Sequence, residues 1–249
     1  CAYRRIIPFA TMLPFRDIAS KYDVRLILTN FAECGKGVAK EDVVSSTELQ
    51  NAMSDNSGLA TDSVIVIEID GAFSRATATN VLHANAREDA IVVSLDLDVK
   101  VAADFFVNAE AFVIPGASAY FPIVWGSYDP QSRLRVACFH ETREVLPSSK
   151  CPAHLQPVAE MDKWHGGDWR VQSSQTYAIA GSDAKTIKID ETLEVEEEKG
   201  GNDRGDSLVF KRILASYHVV RMKDTAAIHE WHPTNCAKAA SAYSVKCSL

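Results

Sequence analysis

The sequence predicts an α/β fold, a mostly parallel central sheet flanked by helices. Three observations carry that expectation. Runs at 24–30, 64–69 and 91–93 are rich in Val, Ile and Leu, the composition of strands buried on both faces. Segments with helical spacing separate them, and this alternation is the pattern of parallel strands joined by helical crossovers. The third run leads into Asp96-Leu-Asp98, so two carboxylates stand at the carboxyl end of a strand, where open α/β sheets bind ligands.

Taken in order, residues 4–9 read as an opening strand cut short by Pro8, which has no N–H to give a ladder. Residues 13–22 have helical spacing, with Phe15, Ile18 and Ala19 on one side. The strand at 24–30 is followed by Cys34-Gly-Lys-Gly37, read as a turn because the spacing of a phosphate loop is absent. A polar helix is expected over 41–53 and a loop over 54–62. The strand at 64–69 precedes a helix at 75–86, and a fourth strand carries Asp96 and Asp98. Residues 119–125 read as a strand interrupted at Pro122, and 147–167 as an excursion over the surface. A short apolar strand follows at 177–180, and the glutamate-rich stretch 191–199 reads as a solvated face. Gly200-Gly-Asn-Asp203 opens a helix over 206–216 with Leu208, Phe210 and Ile213 apolar, and a late strand covers 217–222. No repeat or linker divides the chain, so residues 1–249 are read as one domain.

Composition narrows the function. A chain of 249 residues, 47% hydrophobic and 24% charged, is long enough for a sizeable packed core. Its formal charge of −7 and the lack of a basic, aromatic-interleaved cluster exclude a nucleic-acid surface. No apolar run reaches the length of a membrane span and no segment resembles a signal peptide, so this stretch itself is expected to make no membrane contact. The start at Cys1 rather than Met is what a processed product or an excised piece would show, with any anchor upstream. Six cysteines without a C-x-x-C pair argue against a zinc ribbon, and their even number permits disulfides.

Asp96 and Asp98 are the residues with chemistry to explain. Two carboxylates at the end of a buried strand are costly to desolvate unless a positive group offsets them. Strand alternation would point both the same way, with Leu97 opposite, so that both face one cation. A hard divalent ion with oxygen ligands, Mg²⁺ or Mn²⁺, fits such a pair and is commonly shared with substrate phosphates. The plainer alternative is that Asp-Leu-Asp opens a solvated loop.

Four stretches in this order resemble the chondroitin N-acetylgalactosaminyltransferase/chondroitin synthase family, relatives of the β-1,4-galactosyltransferases. They are Phe73-Ser-Arg-Ala76; Asp96-Leu-Asp98; Tyr120-Phe-Pro-Ile123 running on to Tyr128-Asp-Pro130; and Gly200-Gly-Asn-Asp203 with His229-Glu-Trp-His232 and Cys236 behind it. The resemblance runs from about Val64 to Cys247 and rests on the order of the motifs more than on any one of them. It implies a GT-A nucleotide-diphospho-sugar transferase fold, with a nucleotide-binding half over about 1–130 and an acceptor- and metal-completing half over about 131–249. It also implies a metal-dependent, inverting transfer of a hexose or N-acetylhexosamine from a UDP-sugar to a glycan or glycoprotein acceptor. Asp98 and Asp96 would hold Mn²⁺ (or Mg²⁺) against the diphosphate, with His229, then His232, completing the metal shell. Phe73 and Arg75 match positions that line the nucleotide, and Asp203 matches the catalytic base. The alternatives are a core aromatic at Phe73, a surface cation at Arg75, a helix cap at Asp203 and a polar core histidine at His229 or His232. Cys236 and Cys247 resemble a family disulfide, which points to the Golgi or another secretory-pathway lumen.

Two departures stand out. Where relatives carry tryptophan and glutamate in a W-G-G-E-D segment, this chain has Lys199 and Asn202. Lys199 could reach a donor phosphate, but an aromatic wall is gone, and Asn202 on the acceptor side replaces a charged acceptor with an amide. The first strand also lacks an arginine that relatives place where 10–14 stand here. These departures motivate the rival expectation: a weak or inactive GT-A-like domain serving as a structural or assembly subunit, with a protein partner or as a hetero-oligomer. A hydrolase or phosphotransferase using Asp96 as nucleophile would need a lysine or hydroxyl anion site that the sequence does not supply.

Overall fold

The β-branched runs at the centre of the chain fold as strands, and short helices with one apolar face pack against them. The computed structural model describes residues 2–3, 18–19, 21–33, 43–72, 74–96, 99–127, 141–142, 150, 167–171, 176–192 and 205–229. The expected strand at 4–9 and most of the expected helix at 13–22 lie outside these residues, as do all six cysteines.

Strand β1 (Ala2–Tyr3) pairs with β3 (Val43–Val44). Strands β2 (Leu26–Glu33) and β4 (Val64–Ala72) pair in parallel, Leu26 opposite Val64. Between them runs α1 (Ser46–Ser57), four residues further than the expected helix end. Ser45 caps its start by accepting from the Glu48 N–H. Gly58 ends it in the left-handed conformation, φ 69°, giving its N–H to the Ser54 carbonyl. Leu49 and Met53 of α1 bury against Val64, with Leu26, Leu28 and Val66 packed around them.

A four-stranded sheet has the order β11–β7–β10–β5, formed by His218–Val220, Ser118–Tyr120, Tyr177–Ala180 and Ile91–Ser94. Strand β10 alternates cleanly. Ala178 and Ala180 face a cluster with Phe105 and Ala109 of α3 (Ala103–Phe112). Tyr177 and Ile179 face Ala76 of α2 (Arg75–Ala84) and Val209 and Ile213 of α5 (Gly205–Leu214). The sheet is therefore covered by helices on both faces, as its apolar strands require. A one-turn helix, α4 (Gly181–Ala184), follows β10 directly.

The other four-stranded sheet has the order β6–β12–β8–β9: Val99–Val101, Lys223–His229, Ile123–Ser127 and Gly167–Trp169. The break expected at Pro122 is real, and it separates β7 from β8 into different sheets. Two hydrogen bonds bridge the corner, Phe121 N–H to the Val220 carbonyl at 2.9 Å and Ile123 N–H to the Met222 carbonyl at 2.7 Å. The segments 118–127 and 218–229 thus run parallel through both sheets. Asp224 anchors that corner. Its buried carboxylate accepts from Tyr120 Oη at 2.6 Å, Asn108 Nδ2 at 3.2 Å and the Ala226 N–H at 2.8 Å.

The α/β class and the helix-flanked sheets are as the sequence predicts. The pairings are more mixed than a mostly parallel sheet. β2–β4, β7–β11 and β8–β12 are parallel, while β5 and β7 both run antiparallel to β10. The crossover pattern holds for β2 and β4, which are joined through α1, and lapses beyond them, where strands distant in sequence pair antiparallel. No helix of the described residues is long and apolar enough to cross a membrane.

Candidate functional site

The site is built at the carboxyl end of β5. That strand stops at Ser94, so Asp96 stands in the segment after it rather than on it, and strand alternation does not set its direction. Arg75 sets it instead. Ser74 caps α2 by accepting from the Thr77 N–H, which fixes Arg75 as the first helical residue. From there Arg75 Nη1 donates to Asp96 Oδ1 at 3.2 Å, with the two side chains 29% and 24% exposed. A carboxylate so placed is neither buried alone nor loose in solvent.

Beneath this pair lies a buried polar contact. Tyr177 on β10 is registered opposite Ser94. Its hydroxyl is 2.7 Å from His83 Nε2 on the last turn of α2. His83 is 2% exposed, and burial pushes its pKa down to about 4, opposed only by the nearby Ile187 carbonyl, so the ring is neutral at pH 7. Burial also pushes the Tyr177 hydroxyl up, against the opposing pull of the Ser94 hydroxyl and the Arg75 charge. The ring of Tyr177 stacks on Phe121, centroids 5.2 Å apart. Tyr177 therefore lies within electrostatic reach of Arg75.

After Asp96 the chain turns into β6, with the Val99 N–H donating to the Asp96 carbonyl at 3.1 Å. Val99, the residue next after Asp98 in sequence, is registered opposite His229, the last residue of β12. Residues so paired in an antiparallel ladder have Cα atoms about 4.5–5.5 Å apart. On its other side His229 is registered with Gly126 of β8. The His229 side chain is 7% exposed. The strand order therefore sets the late histidine beside the strand that follows the acid motif, although about 130 residues of chain separate His229 from Val99.

A cleft of about 510 Å³ opens between the facing edges of β2 and β5, lined by Leu26, Leu28, Val92, Ser94, Phe106 and Tyr177 among others, with Asp96 on its wall. Its size and largely apolar lining suit a small organic ligand with a few polar anchors.

Among the described residues no three His, Cys, Asp or Glu side chains gather into a metal-binding group. Phe73, Asp98, Lys199, Asn202, Asp203 and His232 lie outside the described residues. The structure thus brings together Asp96 and Arg75 directly, and His229 with the residue after Asp98 by register. His83 and Tyr177, which the sequence reading passed over, form the floor of the site. Their only sequence signals are a histidine on the apolar side of α2 and a tyrosine opening an apolar strand.

Comparison with known proteins finds a matching family and relatives. The model of the chondroitin N-acetylgalactosaminyltransferase family matches residues 11–247. Chondroitin sulfate N-acetylgalactosaminyltransferase 2 of Mus musculus is 24% identical over 240 residues, covering 91% of this chain and 38% of the mouse protein. The Homo sapiens protein of the same name is 24% identical over 232 residues, with the same shares. The chain thus spans 38% of the length of these curated relatives. Among solved structures, apo mouse xyloside xylosyltransferase 1 is similar at 12% identity and a TM-score of 0.34, covering 94% of each chain.

Proposed function

The chain belongs to the chondroitin N-acetylgalactosaminyltransferase family, and on that premise we propose that it is a metal-dependent inverting glycosyltransferase of GT-A type. It would move a hexose or N-acetylhexosamine from a UDP-sugar to a hydroxyl of a glycan or glycoprotein. The observation that carries this reading is the β6–β12 register, which sets His229 across from the residue following Asp98.

Carboxylate and imidazole together form a donor set suited to Mn²⁺, or with fewer nitrogens to Mg²⁺. Asp96 already engages Arg75, so Asp98 and His229 are the direct ligands in this reading, with His232 as a further imidazole and Asp96 turned towards the nucleotide. When bound, the ion supplies positive charge where the departing diphosphate gathers negative charge. The protein's own residues do the rest. Arg75 adds a guanidinium at the same end of the sheet, Lys199 an ammonium, and Phe73 a face for the nucleotide. Asp203 takes the proton of the acceptor hydroxyl as its oxygen attacks the anomeric carbon opposite the leaving group, so the configuration inverts. Asn202 offers the acceptor an amide. A secretory-lumen setting, the Golgi for preference, belongs to the same proposal.

The second reading is a domain that binds without turning over, an assembly subunit, and Lys199 and Asn202 favour it. Purified protein supplied with UDP-GalNAc, Mn²⁺ and a chondroitin-type oligosaccharide separates the two. The enzyme reading expects UDP release and a product one sugar longer, with Asp203→Asn lowering kcat at least about a hundredfold while UDP affinity holds. UDP binding without product supports the subunit. No UDP binding removes the enzyme reading and leaves the subunit.

A further inference from the structure

Arg170 follows β9 directly, and its position is built. Its N–H donates to the Val124 carbonyl at 2.9 Å. The Trp169 ring beside it meets Trp125 edge-on at 5.2 Å and carries the Lys223 ammonium at 5.5 Å. The Arg170 side chain then crosses β8 at Gly126. A Cβ added to Gly126 would stand 2.8 Å from Arg170 Nε and 3.1 Å from its Cδ and Cγ. Only a residue without a side chain leaves that path open. Gly126 is the ladder neighbour of His229, and adjacent strands lie about 4.8 Å apart. The half-buried Arg170 side chain therefore lies over β8, the strand next to the one that carries His229.

Of the half-buried arginines described, Arg75 pairs with Asp96 and Arg221 donates to the Val171 carbonyl at 2.7 Å. Arg170 pairs with no acid among the described residues. A guanidinium on the side of the sheet that carries a candidate metal ligand is suited to a planar or tetrahedral oxyanion, which it can grip through two parallel N–H groups.

We propose that Arg170, admitted by Gly126, is a substrate-binding residue that grips an oxyanion of the substrate on the His229 side of the site. The oxyanion is either the donor diphosphate or a carboxylate of an acidic acceptor glycan. The inference rests on the glycosyltransferase reading above and adds a contact to it.

The test is calorimetric titration of the intact chain with three probes: UDP in the presence of Mn²⁺, a uronic-acid-containing oligosaccharide, and the same oligosaccharide with its carboxyls reduced to alcohols. Arg170→Ala should weaken one anionic probe about tenfold or more, the loss of hydrogen bonds to a charged group. Weakened UDP assigns the contact to the diphosphate. A weakened acidic oligosaccharide with an unchanged reduced one assigns it to the carboxylate. Arg170→Lys should recover only part of the affinity, since an ammonium lacks the fork. Gly126→Ala should weaken the same probe by displacing the side chain, and the double variant should be no worse than Arg170→Ala alone. Unchanged affinities for all probes in Arg170→Ala and Arg170→Lys overturn this inference and leave the wider reading standing. A wild-type chain that binds none of the probes takes both down.

Discussion

At the scale of single residues, the site is underlain by a buried, neutral histidine. His83 is pushed to about 4 by burial, below the ordinary histidine value near 6.5. Between those two values the unfolded chain binds more protons than the folded one, so stability falls as pH drops from about 6.5 towards 4. One such group contributes a slope of up to about 1.4 kcal/mol per pH unit. His83→Gln should flatten the acid side of a melting-temperature-against-pH curve in that window, whatever it does to stability at pH 7. A slope unchanged by the substitution would mean that His83 is not the buried neutral group described. The contrast with Asp96, Arg75 and His229 shows what was legible. Those three belong to short motifs whose order along the chain is informative. His83 and Tyr177 meet across 94 positions, and nothing local to either residue announces the other.

At the scale of elements, most strands and helices were readable where burial follows a period. Strand β10 alternates, α2 begins at the capping serine, and Pro122 breaks the strand where expected. Among the elements the sequence did not announce, α3 and β12 escaped for different reasons. Helix α3 carries Phe105, Ala109 and Phe112 at helical spacing, but it follows β6 so closely that the signal merges with the strand before it. Strand β12 is Lys-Asp-Thr-Ala-Ala-Ile-His, poor in β-branched residues, and it is a strand because β6 and β8 pair with both its edges. Tertiary pairing decided it.

The join between β10 and α4 offers a test at the same scale. The Gly181 N–H reaches the Ala90 carbonyl at 2.7 Å, and a Cβ there would stand 1.8 Å from the Arg87 carbonyl oxygen. Backbone cannot swing aside as the Arg170 side chain can. Gly181→Ala should therefore lower stability by about 3 kcal/mol or more. A urea midpoint close to wild type would show that the turn at 87–90 yields more easily than its packing implies.

At the scale of the whole molecule, the sequence indicated an α/β body with its chemistry at strand ends, and the structure adds the route by which distant parts meet. The parallel pair 118–127 and 218–229 passes from one sheet to the next, held at the corner by Asp224. That passage delivers His229 to the strand that follows the acid motif. It was not legible beforehand because a partner strand is chosen by the assembled sheet and leaves no mark in local composition. The same topology leaves the β2 and β5 edges facing a cleft that reaches Asp96. The proposed function makes one central claim of the whole molecule, that Asp98 and His229 together hold a divalent cation for a nucleotide diphosphate.

Titration of UDP into the purified chain by calorimetry, with Mn²⁺ and then with the metal removed by EDTA, tests that claim most directly. The account predicts binding that requires the metal, is abolished in Asp98→Ala, and is weakened about tenfold or more in His229→Gln, each variant keeping the wild-type melting temperature within a few degrees. UDP affinity that is the same without metal, or indifferent to both substitutions, would contradict it.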